Sequence, residues 1–257
     1  MTASPVTVER IDGDAIWRVA MGGSKGNVLD AAVMDALDEV FQRAGAAPHL
    51  KAVCLEGQGP HFSFGASVQE HLPPHAGPML ARFHGMLLAM LDCAVPVLAG
   101  VRGQCLGGGL EMVLLCHRVF ASRDARLGQP EIVLGVFAPV ASLVLPERVG
   151  RGAGDDLLLS GRSVAADEAL VLRLVDEVTD EDPAAAALAW ARTHLLPKSA
   201  ASLRYAVRGS RAALRARLAA ELPALERLYL DGLMSTADAV EGLTAFVERR
   251  PAVWRDA

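Results

Sequence analysis

The sequence is poor in aromatic residues, which make up 5% of its 257 positions. Leu, Val, Ala and Ile must therefore fill the core. It has no apolar run long enough to span a bilayer, because the longest candidates are broken by Pro, Gly or charge. That excludes a helical membrane span, and no membrane partner is expected. It also lacks a sustained basic block. With a net charge of −5 and a pI near 5.8, it gives no reason to expect nucleic acid. Its four cysteines, Cys54, Cys93, Cys105 and Cys116, fall into no CxxC or CxxH spacing. Neither a disulfide framework nor a metal site is expected, and the cysteines read as small hydrophobes. The opening MTASPVTVER lacks the basic-then-apolar pattern of a secretory leader. The expected location is the cytoplasm.

What is present is ample apolar material. Hydrophobic residues reach 52% and the mean hydropathy is +0.29, enough for a full core and a hint that some surface is covered in an oligomer. Val6 to Val19 alternates apolar and polar residues around Asp12-Gly13-Asp14, which predicts a β-hairpin. Asp30 stands where a helix cap is needed, before the stripe Val33, Met34, Leu37, Val40, Phe41. Short strands are predicted at Ala52–Leu55, Val95–Val101 and Arg118–Ala121. A helical stripe from Met79 to Leu91 lies between the first two. This alternation argues for an α/β fold with a largely parallel sheet.

After about residue 180 the strands cease. Helices are predicted at Pro183–Leu195, Ser199–Arg208 and Arg211–Tyr229, with a last one opening on the capping-box-like Ser235-Thr-Ala-Asp238. The expected division is a core over 1–195 and a helical region over 196–257. Arg204, Arg208, Arg211, Arg215 and Arg217 are followed by Glu221, Glu226 and Asp231, and they read as a solvated helix face.

Three stretches invite a chemical reading. In QCLGGGLE, Gln104 to Glu111, a glycine triplet precedes an acid at the mouth of a helix. Glycines there can aim bare amides at a developing oxyanion; a tight strand-to-helix turn explains them equally. The acid in GQPEI, Glu131, abuts Ile132, Val133 and Leu134. It is either a desolvated general acid or a turn residue facing water. GPHFSFGASVQEH, Gly59 to His71, offers a second loop of backbone amides, or an ordinary surface loop.

Taken in order, FSFGAS, GQCLGGGLE and GQPE resemble the motifs of the crotonase, or enoyl-CoA hydratase/isomerase, family. GSKGNVLD and the final EGLTAFVERRPAVW are similar to its ends. The resemblance implies a ClpP-like spiral of ββα units with a helical C-terminal extension. It also implies a homo-trimer or dimer of trimers, and no cofactor beyond the coenzyme A that the substrate carries. It assigns the oxyanion hole to the amides of Ala66 and Gly108 and the acid–base pair to Glu111 and Glu131. Lys25, Asn27, Val28, Ser63, Phe64, Gly65, Ser67, Gly107, Phe137, Phe246 and Arg249 fall at substrate or CoA positions. For Lys25, Arg249 and Arg250 the choice lies between a CoA phosphate and solvent. For Phe246 it lies between the acyl end and core packing.

Both glutamates being present favours hydration. Ser67 stands where the family usually has Asp, and Val136, Phe137 and Ala138 replace a glycine pair after GQPEI. These departures argue against a straight-chain enoyl substrate, and in GPHFSFGASVQEH, VRGQCLGGGLE and LGQPEIVLGVFAP together the chain most resembles the branch that adds water 1,4 to a cyclic dienoyl thioester. A general enoyl-CoA hydratase or isomerase is the alternative. A catalytically silent acyl-CoA- or RNA-binding protein is the third reading, resting only on the arginine-rich helix.

Overall fold

The expected hairpin forms: β1 (Val6–Ile11) and β2 (Ile16–Met21) run antiparallel, with Ile11 opposite Ile16. The computed structural model describes residues 4–257. The first three residues of MTASPVTVER, the stretch in which no secretory leader was expected, lie outside the described residues. Parallel to β2 follow β3 (Ala52–Gly57), β4 (Val97–Val101), β6 (Arg118–Ser122) and β9 (Glu177–Thr179). The sheet order is β1-β2-β3-β4-β6-β9. Two crossovers are helical, α1 (Ala31–Ala46) and α2 (Ala76–Asp92). Asp30 caps α1 as expected, its Oδ1 accepting from the Val33 N–H at 3.0 Å.

Every residue of β3 and β4 is buried, as strands covered on both faces require. Alternate residues serve two layers. Val53, Leu55, Val97 and Ala99 face the main core under α1 and α2. Ala52, Cys54, Leu98 and Phe120 face α7 (Pro183–His194) through Ala187, Leu188 and Ala191.

Between β4 and β9 the chain builds a second, three-stranded sheet from β5 (Gln104–Leu106), β7 (Arg126–Gly128) and β8 (Ser163–Ala165). Its order is β5-β7-β8. Strands of three residues carry too little pattern to be read from sequence. Four helices accompany this part: α3 (Gly108–Leu114), α4 (Pro139–Val149), α5 (Arg151–Ser160) and α6 (Ala166–Val171).

Three expectations for the C-terminal region need correction. Ser199–Arg208 and Arg211–Tyr229 are not separate helices but one, α8 (Ala200–Arg227). An exposed mid-helix Gly costs only about 1 kcal/mol relative to Ala, and α8 is pinned on both sides of Gly209. Arg204 donates to the carbonyls of Ala44, Gly45, Ala47 and Cys93, and Arg211 to that of Cys116. These arginines are therefore not simply a solvated face. Arg204 and Arg211 cap carbonyls of the core, and Arg215 and Arg217 pair with Asp92 and Glu147.

Beyond Pro223 the helix loosens into a wide turn, Leu228–Gly232. The last helix, α9 (Ala237–Glu248), is capped by Thr236 and not Ser235. Asp238 is spent on the Arg255 and Asp256 N–H groups, so no capping box forms. Leu218, Leu222, Tyr229 and Leu243 join the same core as α1 and α2. No helix among the described residues is long and apolar enough to cross a membrane.

Candidate active site

The three motifs are distant in sequence and adjacent in space because short ladders tie them together. Leu106 N–H donates to the Ser63 carbonyl at 3.0 Å, and Ser63 N–H to that of Gln104 at 3.1 Å, fixing the FGAS loop beside β5. Gly107 N–H donates to the Gly128 carbonyl at 3.0 Å, fixing the triplet beside the end of β7. GQPE leaves from that end. The GSKGNVLD loop joins through Phe64 N–H to the Gly26 carbonyl and Leu29 N–H to that of Gly65.

These ties bring two amides together. Gly65 has φ +94°, and a Cβ on it would lie 2.9 Å from the Leu106 carbonyl oxygen and 3.2 Å from the Gly108 nitrogen. A Cβ on Gly108 would lie 3.3 Å from the Ala66 nitrogen. Neither the Ala66 nor the Gly108 N–H finds an acceptor among the described residues. Gly108 is the first residue of α3, where helix geometry leaves amides free and the dipole is positive.

Glu111 follows in the first turn of α3 and is 4% exposed. Its Oε1 accepts from the Ala141 N–H at 2.9 Å, in the first turn of α4. Glu131 sits in a short 3₁₀ turn, Pro130–Leu134, closed by Gly135. Its Oε1 accepts from Gln129 Nε2 at 3.1 Å, and its Oε2 is buried with no partner among the described residues. Both carboxyls line one cavity with Phe83, Phe137, Tyr229 and Leu243.

Burial raises the pKa of both carboxyls well above the ordinary value. For Glu131 the nearby Glu111 charge raises it further, while the amides of Ala141 and Val140 pull Glu111 back down. Among the described residues no Lys or Arg is on the cavity wall. Its histidines, His71 and His84, are held below the ordinary value by burial. Such a pair favours one shared proton: one carboxylate and one carboxylic acid on the same wall.

Past Phe64 and Ala66 the cavity adjoins an outer groove lined by Val28, Ser67, Phe246 and Arg249. The structure thus brings Val28, Phe64, Gly65, Ala66, Ser67, Gly107, Gly108, Glu111, Glu131 and Phe137 to one connected site.

Five further residues have other surroundings. Asn27 and Ser63 do not face a ligand with their side chains, which are buried. Asn27 Nδ2 binds the carbonyls of Gln58, His61 and Phe62, and Ser63 Oγ bridges the Asn27 carbonyl and the Gly65 N–H. They hold the loops in shape. Phe246 neither packs in the core nor reaches the acyl cavity: it is 55% exposed on the outer groove. Arg250 is taken by Glu241 and Glu248. Lys25 is exposed and lines neither the cavity nor the groove.

Sequence reasoning missed Tyr229, His84, Gln129 and Ala141. Gln129, beside Glu131 in GQPE, was there to be read. Tyr229 and His84 sit in helical stretches that carried no chemical signal.

The profile of the enoyl-CoA hydratase/isomerase family matches residues 13–257. The chain is 47% identical to a cyclohexa-1,5-dienecarbonyl-CoA hydratase of Thauera aromatica, over 99% of this chain and 98% of that one. It is 32% identical to a probable enoyl-CoA hydratase of Rhizobium meliloti, over 89% and 90% of the two chains. Among solved structures, an enoyl-CoA hydratase/isomerase from Pseudoalteromonas atlantica superposes with a TM-score of 0.86 at 26% identity, covering 97% and 99%. An enoyl-CoA hydratase from Mycobacterium avium subsp. paratuberculosis gives 0.86 at 26%, covering 99% and 100%.

Proposed function

The chain belongs to the enoyl-CoA hydratase/isomerase family, and from that premise we propose that it adds water to cyclohexa-1,5-diene-1-carbonyl-CoA. The product is 6-hydroxycyclohex-1-ene-1-carbonyl-CoA. The observation that carries this reading is the pairing of buried Glu111 with half-buried Glu131 on the wall of a cavity that also holds the free Ala66 and Gly108 amides. The near full-length likeness to the Thauera aromatica hydratase supports the cyclic substrate.

In this mechanism the thioester oxygen accepts from the Ala66 and Gly108 amides. Glu111, with two backbone amides stabilising its charge, is the carboxylate. It takes a proton from water as the water oxygen bonds to the β-carbon. The electron pair moves through the diene onto the thioester oxygen, where the two amides bind the dienolate more tightly than the ground state. Glu131, kept protonated by burial and by the Glu111 charge, delivers its proton to the γ-carbon. The electrons return to leave one ring double bond conjugated with the thioester. Proton exchange between the two carboxyls then resets the site.

The wall formed by Phe137 and Tyr229, with ring centroids 5.5 Å apart, is suited to a flat ring. Incubation with the cyclic dienoyl-CoA and with crotonyl-CoA tests the reading. Faster turnover of the dienoyl-CoA is expected. Faster turnover of crotonyl-CoA would instead assign the general enoyl-CoA hydratase role.

A further inference from the structure

Tyr229 has a hydroxyl with nothing to do in the protein alone. The residue is 1% exposed, and its hydroxyl is buried without a hydrogen-bond partner among the described residues. It stands on the wall that holds Glu111 and Glu131, and burial, with a smaller contribution from the two glutamates, raises its pKa above the ordinary phenol value. It is presented by the wide turn Leu228–Gly232 at the end of α8, a local departure from helix that frequently marks a functional position. The ring packs on Phe137, and Phe at position 229 would keep that contact. A buried unpaired hydroxyl is destabilising, because it gives up its bonds to water and gains none in return. A hydroxyl retained here calls for a partner that arrives with the reaction.

The chemistry of the proposed reaction limits that partner. The carbocyclic substrate carries its only acyl acceptor at the thioester oxygen, which the Ala66 and Gly108 amides receive. Glu111 Oε1 is engaged by the Ala141 N–H and Glu131 Oε1 by Gln129. His84 Nδ1 is bound to Glu226 at 2.5 Å, and His71 Nδ1 faces the Ser67 carbonyl. Glu131 Oε2, His84 Nε2 and Gln129 Oε1 are also unpartnered, yet none lies within hydrogen-bond distance of the Tyr229 hydroxyl; the polar species that the reaction itself brings is the water, which becomes the product hydroxyl.

We infer that Tyr229 is a third catalytic residue, whose phenol hydrogen-bonds the reacting water beside Glu111 and Glu131 and holds the product hydroxyl in the same place. The inference rests on the hydratase reading above. No proton passes through the phenol. It fixes the water oxygen, while Glu111 takes the proton and Glu131 supplies the other. A nucleophile held out of line by about 1 Å costs on the order of 10² in rate.

The test is Tyr229→Phe, assayed beside the wild type in both directions with whichever acyl thioester and hydroxyacyl thioester the wild type turns over faster. The variant should unfold at the same temperature as the wild type or higher, because the hydroxyl has no protein partner to lose. Hydration kcat should fall about 10²-fold with KM for the unsaturated thioester unchanged. The equilibrium constant is fixed, so kcat/KM must fall equally in dehydration. There, part of the loss should appear as a rise of about 10-fold in KM for the hydroxyacyl thioester.

Unchanged kinetics in both directions overturn the inference alone. So does a loss accompanied by a lowered unfolding temperature and no change in either KM, which would make the hydroxyl structural. A wild type that hydrates no enoyl thioester overturns the proposed function and the inference together.

Discussion

The Glu131 carboxyl lies over the α-carbon of Gly107: a Cβ added there would stand 2.5 Å from Glu131 Oε1. The first glycine of the triplet is thus the floor on which the second glutamate rests. It also has φ +53°, a conformation in which a side chain is strained.

Gly107→Ala should therefore push Glu131 out of place. The expected result is a fall of about 10²-fold or more in kcat, with a stability loss of about 1–3 kcal/mol from the backbone conformation. Steady-state kinetics and a denaturant titration separate the two. A variant with full activity would mean that the carboxyl does not depend on this contact.

Glu111→Gln and Glu131→Gln keep shape and remove acid–base capacity. Each should lower kcat by about 10²–10⁴-fold. The double variant should be little worse than the slower single one, because the two groups act as a unit. Additive losses would argue against a shared proton.

The raised carboxyl pKa values also set a pH signature. In the folded protein both groups hold protons at pH values where the unfolded chain has released them, so the folded state binds more protons. Their contribution to stability is therefore greatest at low pH. It declines as pH rises from the ordinary value of 4.5 through the raised folded values. The Glu111→Gln/Glu131→Gln variant should lose less stability across that window than the wild type, by chemical denaturation at stepped pH. In the same range hydration should fall on the alkaline side as Glu131 loses the proton it must deliver.

The legible parts of this site were those built from consecutive residues. QCLGGGLE displays its own helix start, and the place of Glu111 in the first turn followed from it. GQPE and FGAS gave positions but not their mutual contact. That contact runs through ladders of three residues or fewer, too short to leave a periodic trace. The side chains of Asn27 and Ser63 could not be placed from sequence for a related reason. A polar residue in a glycine-rich loop looks the same whether it points to a ligand or ties the loop to itself. Tyr229 lay furthest from view. It comes to the cavity only because α8 runs unbroken past Gly209 and ends in a wide turn, and neither event has a sequence signal stronger than the propensities it overrides.

Arg204 offers a test of what holds α8 in place. Its guanidinium collects the carbonyls that end α1 together with that of Cys93. Hydrogen bonds to a charged group contribute about 1.5–3 kcal/mol, so Arg204→Ala should lower the melting temperature by roughly 5–10 °C. Well below that temperature kcat should be preserved. A loss of activity without a loss of stability would show that the cap acts on the site itself.

The cavity draws its two glutamates and two free amides from residues 66–131 and closes with Tyr229 and Leu243. A chain ending at α4 would carry both glutamates and both amides but not the two residues that close the wall beside them. The acid–base pair and part of the enclosure that desolvates it come from different regions of the chain, so a substitution in the C-terminal region can reach the chemistry without touching a glutamate.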